Sequence, residues 1–317
     1  MFENLKIKPL YEGFIFLAES RRNPPILRTH HHDELELNLV TQGSLSYIIS
    51  GRVYTFHQGS LLWLFPKQVH QLVDRTPDAS YYVAVFKPSL IRDACHGDQY
   101  RTLKRKSVKD GAVLRKTLSP ESFLRLRHVM DSLMENSLDP DLLNREAGFG
   151  LNSAFQFDHG DPDMLNAGLR YLLIQCWRIY CSEQSMETPP PIHPCVRKAL
   201  EILSIPSEEH DLGLLSKKCG ASMSYLSRLF HRQMGVSLSR YRNSVRLHHF
   251  VSECQKKTSK TLSQIAYESG FGSYAQFHKL FYESYQMGPR EFLNFTRLPL
   301  QASALRSLNV SGFGAKK

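Results

Sequence analysis

A pattern about fifty residues long occurs twice near the C-terminus, and it limits the fold more than any other feature of the chain. The first copy runs from Leu212-Gly213-Leu214-Leu215-Ser216 through Gly220 to Tyr225-Leu226-Ser227-Arg228-Leu229-Phe230. The second runs from Leu262-Ser263-Gln264-Ile265-Ala266 through Gly270 to Gln276-Phe277-His278-Lys279-Leu280-Phe281. Each copy reads as a short helix, a glycine turn and a second helix with a basic residue just before an apolar pair, which is the helix-turn-helix pattern.

Charge follows the same partition. Residues 1–190 carry 22 Lys+Arg and 22 Asp+Glu, whereas residues 191–317 carry 18 basic and 8 acidic residues. The whole net charge of +10 therefore sits in the C-terminal part. A basic domain beside a neutral one is the footprint expected of phosphate neutralisation, so the expected partner is double-stranded DNA.

In the first unit the positioning helix is expected near 211–218, the turn at Cys219-Gly220-Ala221 and the recognition helix over about 223–233. Ser222 is placed to cap that helix. Leu226, Leu229 and Phe230 should pack inward, leaving Ser224, Ser227, Arg228, His231 and Arg232 outward. Arg228 is the best candidate for a base contact, because a planar guanidinium binds guanine O6 and N7 together. In the second unit Ser273 begins the recognition helix. Phe277, Leu280 and Phe281 should pack inward, with Tyr274, Ala275, His278 and Lys279 exposed. Lys279 takes the place of Arg228, as a point charge rather than a fork. Between the units, Leu238 to about Gln255 reads as one helix with apolar Tyr241, Val245, Leu247, Phe250 and Val251. Eighteen residues at about 1.5 Å each span roughly 27 Å. With the flanking helices added, that suits recognition helices about one DNA turn, roughly 34 Å, apart.

The N-terminal part reads differently. From about residue 12 to 88, short runs such as Ser46-Tyr47-Ile48-Ile49, Val53-Tyr54-Thr55-Phe56, Leu61-Leu62-Trp63-Leu64-Phe65 and Tyr81-Tyr82-Val83-Ala84-Val85-Phe86 are punctuated by Gly43, Gly51, Gly59 and Pro66. Many short strands with glycine turns predict a sandwich or small barrel. Two helices should follow, one with Phe123, Leu126, Val129, Met130, Leu133 and Met134. The other has Leu165, Leu169, Leu172, Leu173, Cys176, Trp177 and Tyr180, and is apolar on more than one face. It must be buried, against its own barrel or in a homodimer contact. Residues 138–162 read as a loop, and Thr188-Pro189-Pro190-Pro191 as the domain boundary.

Six scattered cysteines form no C-x-x-C pair and fit a reducing compartment. No apolar segment follows the N-terminus as in a signal peptide, and none is long enough to span a membrane. The expectation is a cytoplasmic protein without membrane contact. No nucleophile elbow or phosphate-binding glycine loop is present, so the chain reads as a non-enzyme.

Residues 195–293 resemble the double helix-turn-helix domain of AraC/XylS-family transcription regulators. The resemblance lies in Ser222 to Phe230 with Gly235-Val236-Ser237, and in Ile265-Ala266, Gly270-Phe271, Phe277, Phe281 and Pro289. Gln286 stands where that family usually has glycine, and Phe292-Leu293 where it often has Tyr-Arg. His30, His32, Glu36 and Gly43, then Gly59, Pro66 and His70, are similar to the two cupin motifs of the family's sensor barrel.

The resemblance implies an α+β chain. Residues 1–187 would form a cupin-like sensor and dimerisation domain with appended helices, and 188–194 a proline-rich linker. Residues 195–298 would form the all-α double helix-turn-helix domain, and 299–317 a tail. It also implies a transcription regulator that meets RNA polymerase and answers a small-molecule effector. Three readings of the barrel stay open: a small organic effector lined by some of Tyr47, Tyr54, Trp63, His70 and Tyr82; a divalent transition metal held by His30, His32, Glu36 and His70; or a dimerisation scaffold. In the metal case the fusion would be a metal sensor or a metal-dependent enzyme joined to a DNA reader. Strand parity argues against the metal. If Leu35, Leu37 and Leu39 point into the barrel, His30, His32 and Glu36 face solvent.

The charge partition carries its own test: the logarithm of the DNA-binding constant should fall steeply and linearly with log salt. A flat salt dependence in a fluorescence-anisotropy titration would contradict it.

Overall fold

A computed structural model describes residues 2–5, 7–20, 29–107, 112–134, 160–182, 191–204, 212–255, 260–285 and 287–297. Residues 138–159 of the loop expected over 138–162, the prolines Pro189 and Pro190, and the tail from 298 lie outside them, while Pro162 already begins a helix.

Among the described residues, eight strands build two antiparallel sheets. They are β1 (Gly13–Glu19), β2 (Leu35–Gln42), β3 (Ser44–Ile49), β4 (Arg52–His57), β5 (Ser60–Leu64), β6 (His70–Arg75), β7 (Ser80–Phe86) and β8 (Leu114–Thr117). The large sheet runs β1-β7-β2-β5-β8 and the small one β4-β3-β6. β3 and β4 are joined by Ser50 and Gly51, with φ of +49° and +77°. Positive φ at both central positions is what a tight two-residue hairpin needs. The sheets face each other: Arg115 of β8 lies 4.8 Å over the Tyr54 ring of β4, and His70 of β6 comes within 4.0 Å of Glu36 of β2. β8 lies beyond the region that the sequence marks as β-rich, since four residues with two cations carry little strand signal.

Helices α1 (Pro88–Ala94), α2 (Pro120–Met134) and α3 (Pro162–Ser182) follow the barrel. α3 buries Leu165, Leu169, Leu172, Leu173, Cys176, Trp177 and Ile179. It packs on α2 and the large sheet, with Trp177 edge-on to Trp63 at 5.7 Å between ring centres. Burial of this apolar helix is thus accounted for within one chain. No helix among the described residues is long and apolar enough to cross a membrane.

From Pro194 on, the regular elements among the described residues are all helices. A leading helix (Pro194–Ser204) precedes the first unit, a positioning helix (Leu212–Lys218) and recognition helix (Met223–Met234). The spacer helix (Leu238–Gln255) leads to the second unit, a positioning helix (Leu262–Glu268) and recognition helix (Tyr274–Tyr285), and Pro289–Arg297 closes the fold. Start signals are local. Ser222 Oγ accepts the backbone N–H of Tyr225, and Thr261 with Gln264 forms a capping box. The first recognition helix stops at Gly235, whose φ of +73° closes the last turn.

Two cores organise these helices. The first gathers Leu215, Leu226, Leu229, Phe230, Leu238, Tyr241 and Val245, and it includes Val73 of the barrel, with Ile48 and Val53 packed on it. The second gathers Leu247, Phe250, Val251, Ile265, Phe277, Phe281 and Phe292, all from the C-terminal part. The spacer helix thus serves one core with its first half and the other with its second. The end of the boundary segment is tied down as well: Pro191 bridges Arg52, and Ile192 donates to the Gly51 carbonyl at 2.9 Å.

Phe277 is fully buried, with the Phe250 ring centre 4.3 Å away. Phe277→Ala should lower stability by about 3–5 kcal/mol, read from the urea unfolding midpoint. A loss below about 1 kcal/mol would mean that the second unit lacks this tight core.

Candidate DNA-reading surface and barrel triad

The outward residues of the two recognition helices lie largely where their helical spacing puts them. Ser222, Ser224, Arg228, His231 and Arg232 are exposed, and Ser227 is half-buried. Arg228 Nε bonds back to the Ser224 carbonyl at 3.2 Å, and no acidic partner holds its guanidinium among the described contacts. In the second unit Ser273, Ala275, His278 and Lys279 are exposed. Ser273 Oγ accepts the N–H of Gln276 at 3.2 Å and so caps the helix. Tyr274 differs from expectation: it is half-buried, 5.4 Å from the Phe277 ring, because the first turn of this helix leans on the second core. Lys279 lies 4.0 Å from Glu283, a surface pairing of little energy.

The barrel overturns the parity argument. Leu37 pairs with Ala84 and Trp63, and Leu39 with Tyr82 and Leu61. Directly paired residues share a face, and this one is covered by α2 and α3. Trp63 meets Trp177, and Tyr82 donates a hydrogen bond to Asp131 of α2. The leucines are therefore buried outside the barrel, beneath helices. The opposite face, carrying Glu36 and Asn38, looks into the barrel, and both faces of β2 are buried. Trp63 and Tyr82 consequently leave the set of barrel-lining residues. Tyr47, Tyr54 and His70 stay in it.

His32, Glu36 and His70 converge there, all buried, with one ligand atom from each within 4.8 Å of the others. His32 Nε2 is 3.0 Å and His70 Nε2 4.0 Å from Glu36 Oε2. Asn38 Nδ2 donates to the other carboxylate oxygen at 2.7 Å. His70 Nδ1 is 2.9 Å from the Gln68 carbonyl. A carbonyl only accepts, so Nδ1 carries the proton and Nε2 presents its lone pair; buried, it has no hydrogen-bond partner among the described residues. His30 stands aside from this trio. Its ring centre is 4.2 Å from that of His70, and its Nε2 lies 3.5 Å from Glu3.

Electrostatics prepare the trio. Burial opposes the Glu36 carboxylate, yet the His32 hydrogen bond, His70, and Asn38 hold it down at about 2. Burial pushes His70 down to about 4, leaving it neutral at pH 7. Burial also opposes charge on His32, but the hydrogen bond and charge of Glu36 prevail and raise it. An anionic carboxylate, a neutral imidazole with a free lone pair, an outer hydrogen bond donated by Asn38 and one accepted by the Gln68 carbonyl fit a divalent transition metal, with His32 as a third ligand once its Nε2 gives up the proton it donates to Glu36. Neither outer partner was singled out by the sequence. Asn38 was legible only as the next residue on the Glu36 face.

Two sequence models of known families match this chain: the AraC-like ligand binding domain over residues 17–151 and a helix-turn-helix domain over 215–294. The chain belongs to the AraC family of transcription regulators. The melibiose operon regulatory protein of Escherichia coli K12 is 22% identical over 300 residues, spanning 89% of each chain. Among solved structures, ToxT of Vibrio cholerae O395 is 15% identical, covering 92% of this chain and 99% of its own, with a TM-score of 0.34. A transcriptional regulator of Chromobacterium violaceum is 26% identical, covering 33% of this chain and 95% of its own, with a TM-score of 0.30. This AraC-family chain is thus an α+β regulator that joins an effector-binding domain to a DNA-binding one.

Arg228→Ala should weaken binding to a selected duplex by about 1–3 kcal/mol and relax preference at one base position. Equal losses on selected and random DNA would reduce Arg228 to a phosphate contact.

Proposed function

We propose that this regulator reads two successive major grooves with its paired units, and that the effector centre of its barrel is the trio His32, Glu36 and His70, holding a divalent transition metal. The observation that carries the barrel reading is the buried, unpartnered Nε2 of His70 aimed at the same carboxylate oxygen that His32 engages. A bound metal would supply a cross-link between the sheets, because Glu36 comes from β2 and His70 from β6. Asn38 and Gln68 orient the carboxylate and the imidazole. The protein acts as a metal sensor in this reading; nothing in the site points to a substrate, so the role is regulatory rather than enzymatic.

The DNA reading is supported by the exposed Arg228 and Lys279, by the basic C-terminal part and by the 18-residue spacer helix. Its setting in the cell would be the cytoplasm, with RNA polymerase as a further partner and a homodimer formed through the barrel domain.

A second reading keeps a small organic effector. Tyr47 and Tyr54 face the barrel interior together with Arg115, which offers hydroxyls, ring faces and a cation. The relative named for the melibiose operon makes melibiose a reasonable first probe.

Protein prepared without a histidine tag should bind one equivalent of zinc or nickel(II) by calorimetry. Asn38→Ala should weaken that binding by about 10–100-fold, and Glu36→Gln should abolish it. Absence of metal binding in the wild type would remove the metal reading. Saturable melibiose binding, lost in a Tyr47→Phe/Tyr54→Phe double variant, would install the organic one.

A further inference from the structure

Over residues 70–73 strand β6 is buried on both faces, and those faces belong to different halves of the molecule. On β3 and β6 the register pairs Ile49 with His70, Ile48 with Gln71 and Tyr47 with Leu72. His70 and Leu72 therefore turn into the barrel with Ile49 and Tyr47. Gln71 and Val73 turn outward with Ile48, into the core of the first helix-turn-helix unit. One strand thus carries a member of the trio on one side and a contact with the DNA-reading half on the other.

That outer contact is specific. Gln71 Nε2 donates to the Tyr241 hydroxyl at 2.9 Å, while its Oε1 accepts from Thr29 at 2.9 Å, so both ends of the amide are fixed. Gln71 is 3% and Tyr241 1% exposed. The Tyr241 ring packs 5.5 Å from Phe230, on the inner side of the recognition helix whose outer side bears Arg228. Tyr241 also stands in the first turn of the spacer helix, which carries the second unit. Further along β6, Asp74 meets Arg240 of the same turn at 3.4 Å. Beyond this point barrel, spacer and second unit together border a cavity of about 510 Å³, lined among others by Arg75, Pro77, Leu280 and Glu283.

We infer that Gln71 and Tyr241 are positioning residues that transmit the state of the barrel trio, through the two faces of β6, to the base of the spacer helix and hence to the register between the two DNA readers. The first unit is anchored to the barrel wall, and the second is joined to that anchor through the spacer. The inference takes the trio as the effector centre from the proposed function, but the joint itself depends on geometry alone.

A double-mutant cycle on the full chain tests it, run in EDTA with a duplex selected from a random library by the wild-type protein. Tyr241→Phe removes the hydroxyl and keeps the ring. His70→Gln alters the barrel face of β6, and Glu36→Gln is the substitute if His70→Gln fails to fold by circular dichroism. The effect of the double variant on the dissociation constant should depart at least threefold from the product of the single effects. Val245→Ala, in the same core but outside the hydrogen bond, should combine with His70→Gln multiplicatively. Multiplicative behaviour of the Tyr241 cycle overturns the joint, as does equal non-additivity in the Val245 control. The metal reading fails separately: a non-additive cycle without zinc binding retains the joint and removes the metal, and zinc binding with a multiplicative cycle does the reverse.

Discussion

The alternation of side chains along β6 sets the terms for the rest of the molecule. In a strand the period is two, so placing His70 inside the barrel places Gln71 outside it, against the spacer helix. A slip of one residue would move Gln71 into the trio and His70 into the helical core, and both sites would be lost together. The register is held by the Ser50-Gly51 hairpin, by the paired backbone bonds between His30 and His70, and by apolar side chains on each face. The small sheet is therefore a wall shared by two cores. The barrel domain and first reader are not independent bodies on a string, as a proline-rich boundary would imply.

Much of the helical half was legible because its signals are local. The cap at Ser222, the stop at Gly235, the spacer from Leu238 to Gln255 and the inward set Leu226, Leu229 and Phe230 follow from turn chemistry and helical spacing. The runs that form β3, β4, β5 and β7 were legible for the same reason, whereas β8 was not. Nor were the inside and outside of the barrel. Parity tells which residues share a face, but not which face meets the interior, and the argument from burial assumed that one face of β2 met solvent. Helices α2 and α3, contributed by residues more than eighty positions away, turn that outer face into a second core. Leu37, Trp63 and Tyr82 thus satisfy hydrophobic burial without entering the barrel. The trio was visible as spacing, whereas the contact of Gln71 with Tyr241, 170 residues apart, leaves no local trace.

The trio shows why burial alone does not decide the character of a polar cluster. A buried histidine–carboxylate pair is costly unless its remaining valences are met. Here Glu36 is served on one oxygen by Asn38 and on the other by His32, so the anion is well satisfied. The histidines are less completely served: His32 Nδ1 has no hydrogen-bond partner among the described residues, and, while the Gln68 carbonyl satisfies Nδ1 of His70, the Nε2 of that ring is left with a lone pair inside the barrel. A purely structural cluster would be expected to cover that atom with a donor. A ligand-binding cluster keeps it open at the point where the carboxylate and the second imidazole converge.

The two readers also differ in how they are held, and the difference has a mechanical consequence. The first shares its core with Val73 of the barrel, while the second has a core of its own that takes in the distal half of the spacer. Tyr241 lies near the start of that helix, about fourteen residues or roughly 21 Å from its end. A tilt of about 5° at Tyr241 would move the far end by roughly 2 Å. Base-edge hydrogen bonds hold only over a few tenths of an ångström around their best distance. A displacement too small to disturb the first reader is therefore enough to make or break contacts at Lys279 and His278. Control of the second reader by leverage follows from a stiff spacer clamped at one end.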